Sequence, residues 1–177
     1  MRVLFAILTL IPTLAFAVPP CPGATIASFV ADTSDRTEPI GSSTSNVNIV
    51  SRTFTGDTRA IMPFGTFALP TGAAICKALL TVMNTATAGG QPIIAGQVSG
   101  GNYVVGPFSP TALVLAPTTM PHVFDVTPIV NGWPGTMLHL EGIGLREQML
   151  IGLFQDEVAS ADHGTAAYHP LLEVWYY

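Results

Sequence analysis

Alternation of apolar and polar residues, cut at short intervals by proline and glycine, is the feature that most limits what this chain can become. In "LLEVWYY" (171–177), Leu172, Val174 and Tyr176 take one parity and Glu173, Trp175 and Tyr177 the other. In "HVFDV" (122–126), Phe124 and Val126 flank Asp125. A period of two sorts side chains to opposite faces of a strand, whereas an amphipathic helix needs a period near 3.6 held over a longer stretch. Beyond the first residues no helical stripe of useful length appears, and 15 prolines and 17 glycines in 177 residues leave little room for one. The pattern predicts an all-β chain: a two-layer antiparallel β-sandwich, jelly-roll-like, built from about ten short strands with one short helical turn.

Strands are expected over 24–31, 47–51, 59–65, 75–83, 92–98, 122–126, 136–142, 149–155 and 171–177, and polar loops over 32–46 and 156–170. Pro63 falls inside the third of these. Because proline cannot donate to a ladder, that strand is expected at a sheet edge, or with Pro63 turned away from its neighbour. The segment 103–121 holds several prolines and one apolar run. The helical turn belongs to "DVTPIVNGWPG". Thr127 is placed to cap it, Pro128 sits where a missing N–H costs nothing, and Gly132 and Pro134 end it. One turn brings Ile129, Val130 and Trp133 toward the sheet, so the indole should close one end of the sandwich. "TMLHLEG" then resumes as a strand with Leu138 and Leu140 inward and His139 and Glu141 outward. "GIGLREQ" connects it to the next.

Residues 1–17 read as a signal peptide: a positive start at Arg2, an apolar run from Val3 to Leu14, and small residues at Ala15 and Ala17 before the cut. The run is too short to span a bilayer, and "PLLEVWYY" is too short and polar for a lipid-anchor signal, so no membrane anchor is expected. Residues 18–177 then form a single secreted domain, extracellular or associated with a cell wall. In an oxidising compartment Cys21 and Cys76 should form one disulfide, and the strand face shared by Cys76, Ala78, Leu80 and Val82 would point Cys76 inward. The formal charge is −5, and loss of Arg2 with the leader takes it to −6. So few and so scattered cations argue against nucleic acid as a partner.

Several segments taken in order carry a family resemblance: "ADTSD", "IGSSTSNVNIV", "TRAIMPFGTFALPTGAAICKALLTV", "FDVTPIVNGW", "IGLFQDE" and "HPLLEVWYY". The ordered set resembles the secreted DNRLRE-domain proteins, a jelly-roll-like group related to carbohydrate-binding modules of the alginate-binding kind. That resemblance implies binding and surface attachment, and no shared catalytic centre.

Among candidate ligand-binding residues, Trp175 stands out because its parity opposes Val174. With Tyr177 beside it, an outward indole would suit the apolar face of a sugar ring, the alternative being an indole packed under a loop. His139 and Glu141 share the face of their expected strand. With His163, His169 and Asp162 they are the groups from which a transition-metal site could be assembled, although the compact spacing of a metal motif is missing. Asp32, Asp35 and Glu157 offer oxygen ligands for calcium without the dense acidic loop that such sites use. No resident cofactor is therefore expected, with calcium as the alternative. No nucleophile elbow or phosphate-binding loop is present, and Asp156 and Glu157 are adjacent, so on a strand they diverge. The functional expectation is a non-catalytic module that binds polysaccharide of a cell wall or extracellular matrix. The alternatives are a self-associating adhesive protein and, third, a lyase or glycosidase with a dispersed site.

Overall fold

The structure, a computed structural model, describes residues 21–38, 47–53, 56–87, 93–99, 102–103, 121–147 and 155–177. The expected leader at 1–17 and the run at 103–121 lie outside these, apart from Tyr103 and Pro121, as does the expected strand at 149–155 apart from Gln155. The described elements are β1 (Thr25–Val30), β2 (Arg36–Glu38), β3 (Val47–Thr53), β4 (Gly56–Met62), β5 (Ile75–Thr87), β6 (Ile93–Ser99), β7 (Asn102–Tyr103), β8 (Pro121–Asp125), α1 (Thr127–Val130), α2 (Leu138–Glu141), β9 (Ile143–Glu147), β10 (Gln155–Ala159), a 3-10 turn (Ala166–Tyr168) and β11 (Leu171–Tyr176).

Every pairing among the described strands is antiparallel, and the strands form the two layers of an all-β sandwich. One layer runs β1-β11-β5-β8 and the other carries β4, β9, β6 and β7, with β2 also on β4. β10 and β3 bridge the layers, from the C-terminal half of β5 round to β4. The core lies where alternation directs it. Ala78, Leu80 and Val82 of β5, Leu172 and Val174 of β11, and Phe124 of β8 belong to one buried cluster with Ala60 and Met62 of β4, Ile93 and Ala95 of β6, and Ile143 and Leu145 of β9. Apolar side chains of one parity from both layers thus leave water together, which is the main term holding such a fold.

The corner after β8 folds as its prolines and glycines direct, with one change of role. Ile129, Val130 and Trp133 are buried and the turn stops at Val130. Thr127 does not cap α1. Its hydroxyl instead accepts the Ala78 amide at 2.9 Å and donates to Asp125 Oδ1 at 2.6 Å, fastening the corner to β5. Burial alone pushes the Asp125 carboxyl up. Hydrogen bonds from Lys77 and from the Thr127 hydroxyl and amide, with the charge of Lys77, outweigh it and leave the group below its ordinary range.

Five expectations are corrected. Residues 138–141 form α2 instead of a strand, closed by Gly142, whose φ of 85° no side-chain-bearing residue adopts readily and where a Cβ would lie 2.1 Å from the Met62 carbonyl oxygen. "LHLE" alternates too briefly to separate one helical turn from a strand. The expected connection "GIGLREQ" holds β9, and the expected loop after residue 155 begins with β10. β4 ends at Met62, so Pro63 follows the strand, and β4 is interior, flanked by β2 and β3 on one side and β9 on the other. The Cys21–Cys76 disulfide is present, yet Cys76 is exposed. Register on β11 passes from Lys77 to Ile75, so Cys76 is the extra residue of a bulge, and the alternation that should turn it inward is broken there.

His122 of β8 is buried beside Phe124, its ring centroid 6.1 Å away. Desolvation holds its pKa below the ordinary 6.5, so it is neutral in the fold, and the unfolded chain binds the extra proton. Its contribution is fully present above 6.5 and is lost as pH falls below that value. The denaturant midpoint should therefore drop between pH 7.5 and 5.5 (~2 pH units spanning the histidine range), and His122→Phe should flatten that drop. An unchanged slope in the variant would assign the loss to other groups.

Candidate functional site

A groove of about 470 Å3 opens between two segments, 67–74 after β4 and 133–139 between the helices. Its first wall is shaped by tight turns, in which the Phe67 amide donates to the Phe64 carbonyl and the Ala73 amide to the Pro70 carbonyl. Its second wall is held by Thr136, whose hydroxyl donates to the Trp133 carbonyl at 2.9 Å and accepts the Leu138 amide at 3.3 Å. The Phe64 amide donates to the His139 carbonyl at 2.9 Å and fixes the two walls together.

The floor is aromatic. Trp133, only 1 % exposed, meets Phe67 edge to face at 5.0 Å, and the His139 ring lies 5.8 Å from Phe67 and 6.4 Å from the indole. Trp133 Nε1 donates to Gln97 Oε1 at 2.7 Å, and Gln97 Nε2 donates in turn to the Gly142 carbonyl at 3.1 Å. One glutamine from β6 thereby orients the indole and the end of α2. His139 Nδ1 is buried and has no hydrogen-bond partner in the fold. Thr71 is exposed on the first wall. None of the described residues lining the groove is a carboxylate, lysine or arginine. The rings back the groove, and its open surface falls to exposed Pro70, Thr71, Pro134 and Thr136, which suit an uncharged ligand that packs against them and makes a few hydrogen bonds.

The residues singled out from sequence separate. Trp175 lies on the face opposite Val174, as its parity requires, but it is only 7 % exposed and its Nε1 is buried without a partner. The register sets it between Ile26 of β1 and Lys77 of β5, so the outer face of this sheet is crowded at that row and the indole is no open platform. Tyr177 is 61 % exposed. Its hydroxyl donates to the Pro22 carbonyl at 3.2 Å, and its backbone exchanges two 3.1 Å hydrogen bonds with Ala74, a residue of the groove.

His139 turns toward Phe67 and Trp133, while Leu140 is exposed, the reverse of the expected facing. Glu141, two residues on along a helix, cannot share the face of His139. His163 and His169 are knit into their own loop. His169 Nε2 bonds the His163 carbonyl at 2.7 Å, and the His163 ring stacks on Tyr168 at 5.1 Å. Asp32 accepts the Gly65 amide at 2.7 Å and Asp35 the Ala161 amide at 2.9 Å, so both fasten loops. Among the described residues no group of three or more His, Cys, Asp or Glu side chains is placed to share a metal ion.

Phe67, Gln97 and Thr71 are not among the residues that the sequence marks. Nothing local marks them, because the groove exists only when the 67–74 turn is brought against the corner after β8. No family model matches the chain, and no curated protein matches it significantly.

Proposed function

We propose that this chain is a secreted, non-catalytic β-sandwich module that binds neutral polysaccharide of a cell wall or extracellular matrix, with the groove between 67–74 and 133–139 as its site. The observation that carries the reading is the character of that groove: an uncharged concave lining with Pro70, Thr71, Pro134 and Thr136 exposed, backed by the buried rings of Trp133 and Phe67. Sugar rings offer flat apolar faces and dense hydroxyls, which match such a surface. The leader, the cysteine pair and the resemblance to DNRLRE-domain proteins support the same reading. Tyr177, exposed and paired through its backbone with Ala74 of the groove, is the further aromatic assigned to ligand contact.

Retention on insoluble glucan, chitin and alginate tests it. Wild type should be held on at least one matrix. Thr71→Trp, which fills the groove, should weaken retention by roughly tenfold or more. His139→Phe should unfold no earlier than wild type, because it removes a buried polar atom that has no partner. Retention of wild type on none of the three would end the proposal.

A further inference from the structure

Among the described residues β1 has a neighbour, β11, on one side only. Its other side presents backbone amides and carbonyls to whatever lies beyond. Natural sheets guard such edges with lysine, proline or a bulge, and β1, "TIASFV", has no charge, no proline and an unbroken register with β11. Its outward side chains include Ile26, 53 % exposed, and Val30, 45 % exposed, placed symmetrically about Ser28.

We propose that two copies of this chain pair edge to edge through β1, antiparallel, with Ser28 of each copy facing Ser28 of the other across a two-fold axis. Parity excludes odd slips, and among the even ones only this register sets Ile26 of each copy against Val30 of the other, the two large exposed apolar side chains of the strand. Pairing Ser28 with itself sets Ile26 against Val30 of the second copy on the outer face, and Ala27 against its Phe29 on the inner one. A slip by one residue would set an outward side chain against a core-facing one. The row that contains Ile26 already holds the buried Trp175, so the second copy's Val30 extends an apolar row instead of ending in water.

Charge permits the contact despite a formal −5 on each copy. The nearest carboxylate in register is Glu173, opposite Ser28 on β11. Two such groups would be separated by three strand spacings, about 14 Å, beyond the screening length of about 8 Å at physiological salt. One short edge buries less than a standard interface, so the dimer is weak and reversible. This contact is independent of the groove and of the ligand proposed for it.

Sedimentation velocity of the purified full chain over a wide concentration range tests the pairing. Wild type should pass from monomer to dimer, and Ile26→Lys and Val30→Lys should remain monomeric with unchanged thermal unfolding. Ser28→Cys should form a covalent dimer in air, since directly opposed residues of an antiparallel pair lie within disulfide reach. Ser34→Cys, on an exposed turn, should not. The proposal is overturned if wild type is monomeric throughout, if the lysine variants dimerise as wild type does, or if Ser28→Cys crosslinks no faster than Ser34→Cys.

Discussion

Trp133→Ala is expected to lower the unfolding free energy by about 4 kcal/mol, near the upper part of the range for large-to-small core changes. The indole is the largest of the fully buried side chains and belongs to the cluster that both layers share. Its removal leaves a cavity bounded by Phe64 and Phe67, whose ring centroids lie 6.0 and 5.0 Å from it. It also strips Gln97 Oε1 of its donor. Trp133→Phe keeps most of the apolar volume but loses the N–H, so it should cost only about 1–2 kcal/mol. Urea unfolding of the two variants separates these contributions. A loss below about 1 kcal/mol for Trp133→Ala would show that the indole does not plug the end of the sandwich. The same variant should also be held poorly by any matrix that retains wild type, since the indole floors the groove.

Replacing Cys21 and Cys76 together by alanine should cost a comparable amount. The bridge joins residues 55 positions apart, and closing a loop of that length removes about 4 kcal/mol worth of entropy from the unfolded chain. The effect acts chiefly on the unfolded state, so the denaturant m-value should rise as the unbridged chain expands. The native consequence is local: the bridge ties the segment before β1 to the start of β5, where the Tyr177 hydroxyl also bonds the Pro22 carbonyl. Reduction of wild type should reproduce the alanine pair. If the doubly substituted chain unfolds at the wild-type denaturant concentration, the bridge is not constraining the unfolded ensemble.

Legibility in the sequence followed how local each determinant was. The corner at 125–134 could be read because Pro128, Gly132 and Pro134 act within a few residues of themselves. The stretch 136–147 could not. Leucine parity in "LHLE" serves a single helical turn as well as a strand, and the choice was made by contacts from elsewhere: Gly142 packed on the Met62 carbonyl and Gln97 bonded to the carbonyl of Gly142. The parity of Cys76 with Ala78 points it inward, and a bulge against β11 undoes the inference.

Trp175 shows the same division within one residue. Alternation fixed its side of the sheet, since successive side chains of a strand must diverge. Its exposure depends on what the rows beside it carry, and those rows are set by register with β1 and β5, which the residues around Trp175 do not encode. The amino-acid order alone therefore settled the all-β class, the cysteine pair, the parity of the core strands and the buried indole corner, because periodicity and backbone stereochemistry operate over a few residues. Only the assembled chain decided that Trp175 is covered, that His139 faces Phe67 and Trp133, and that a neutral groove opens between segments far apart in sequence, because burial and concavity belong to neighbours that chain order does not name.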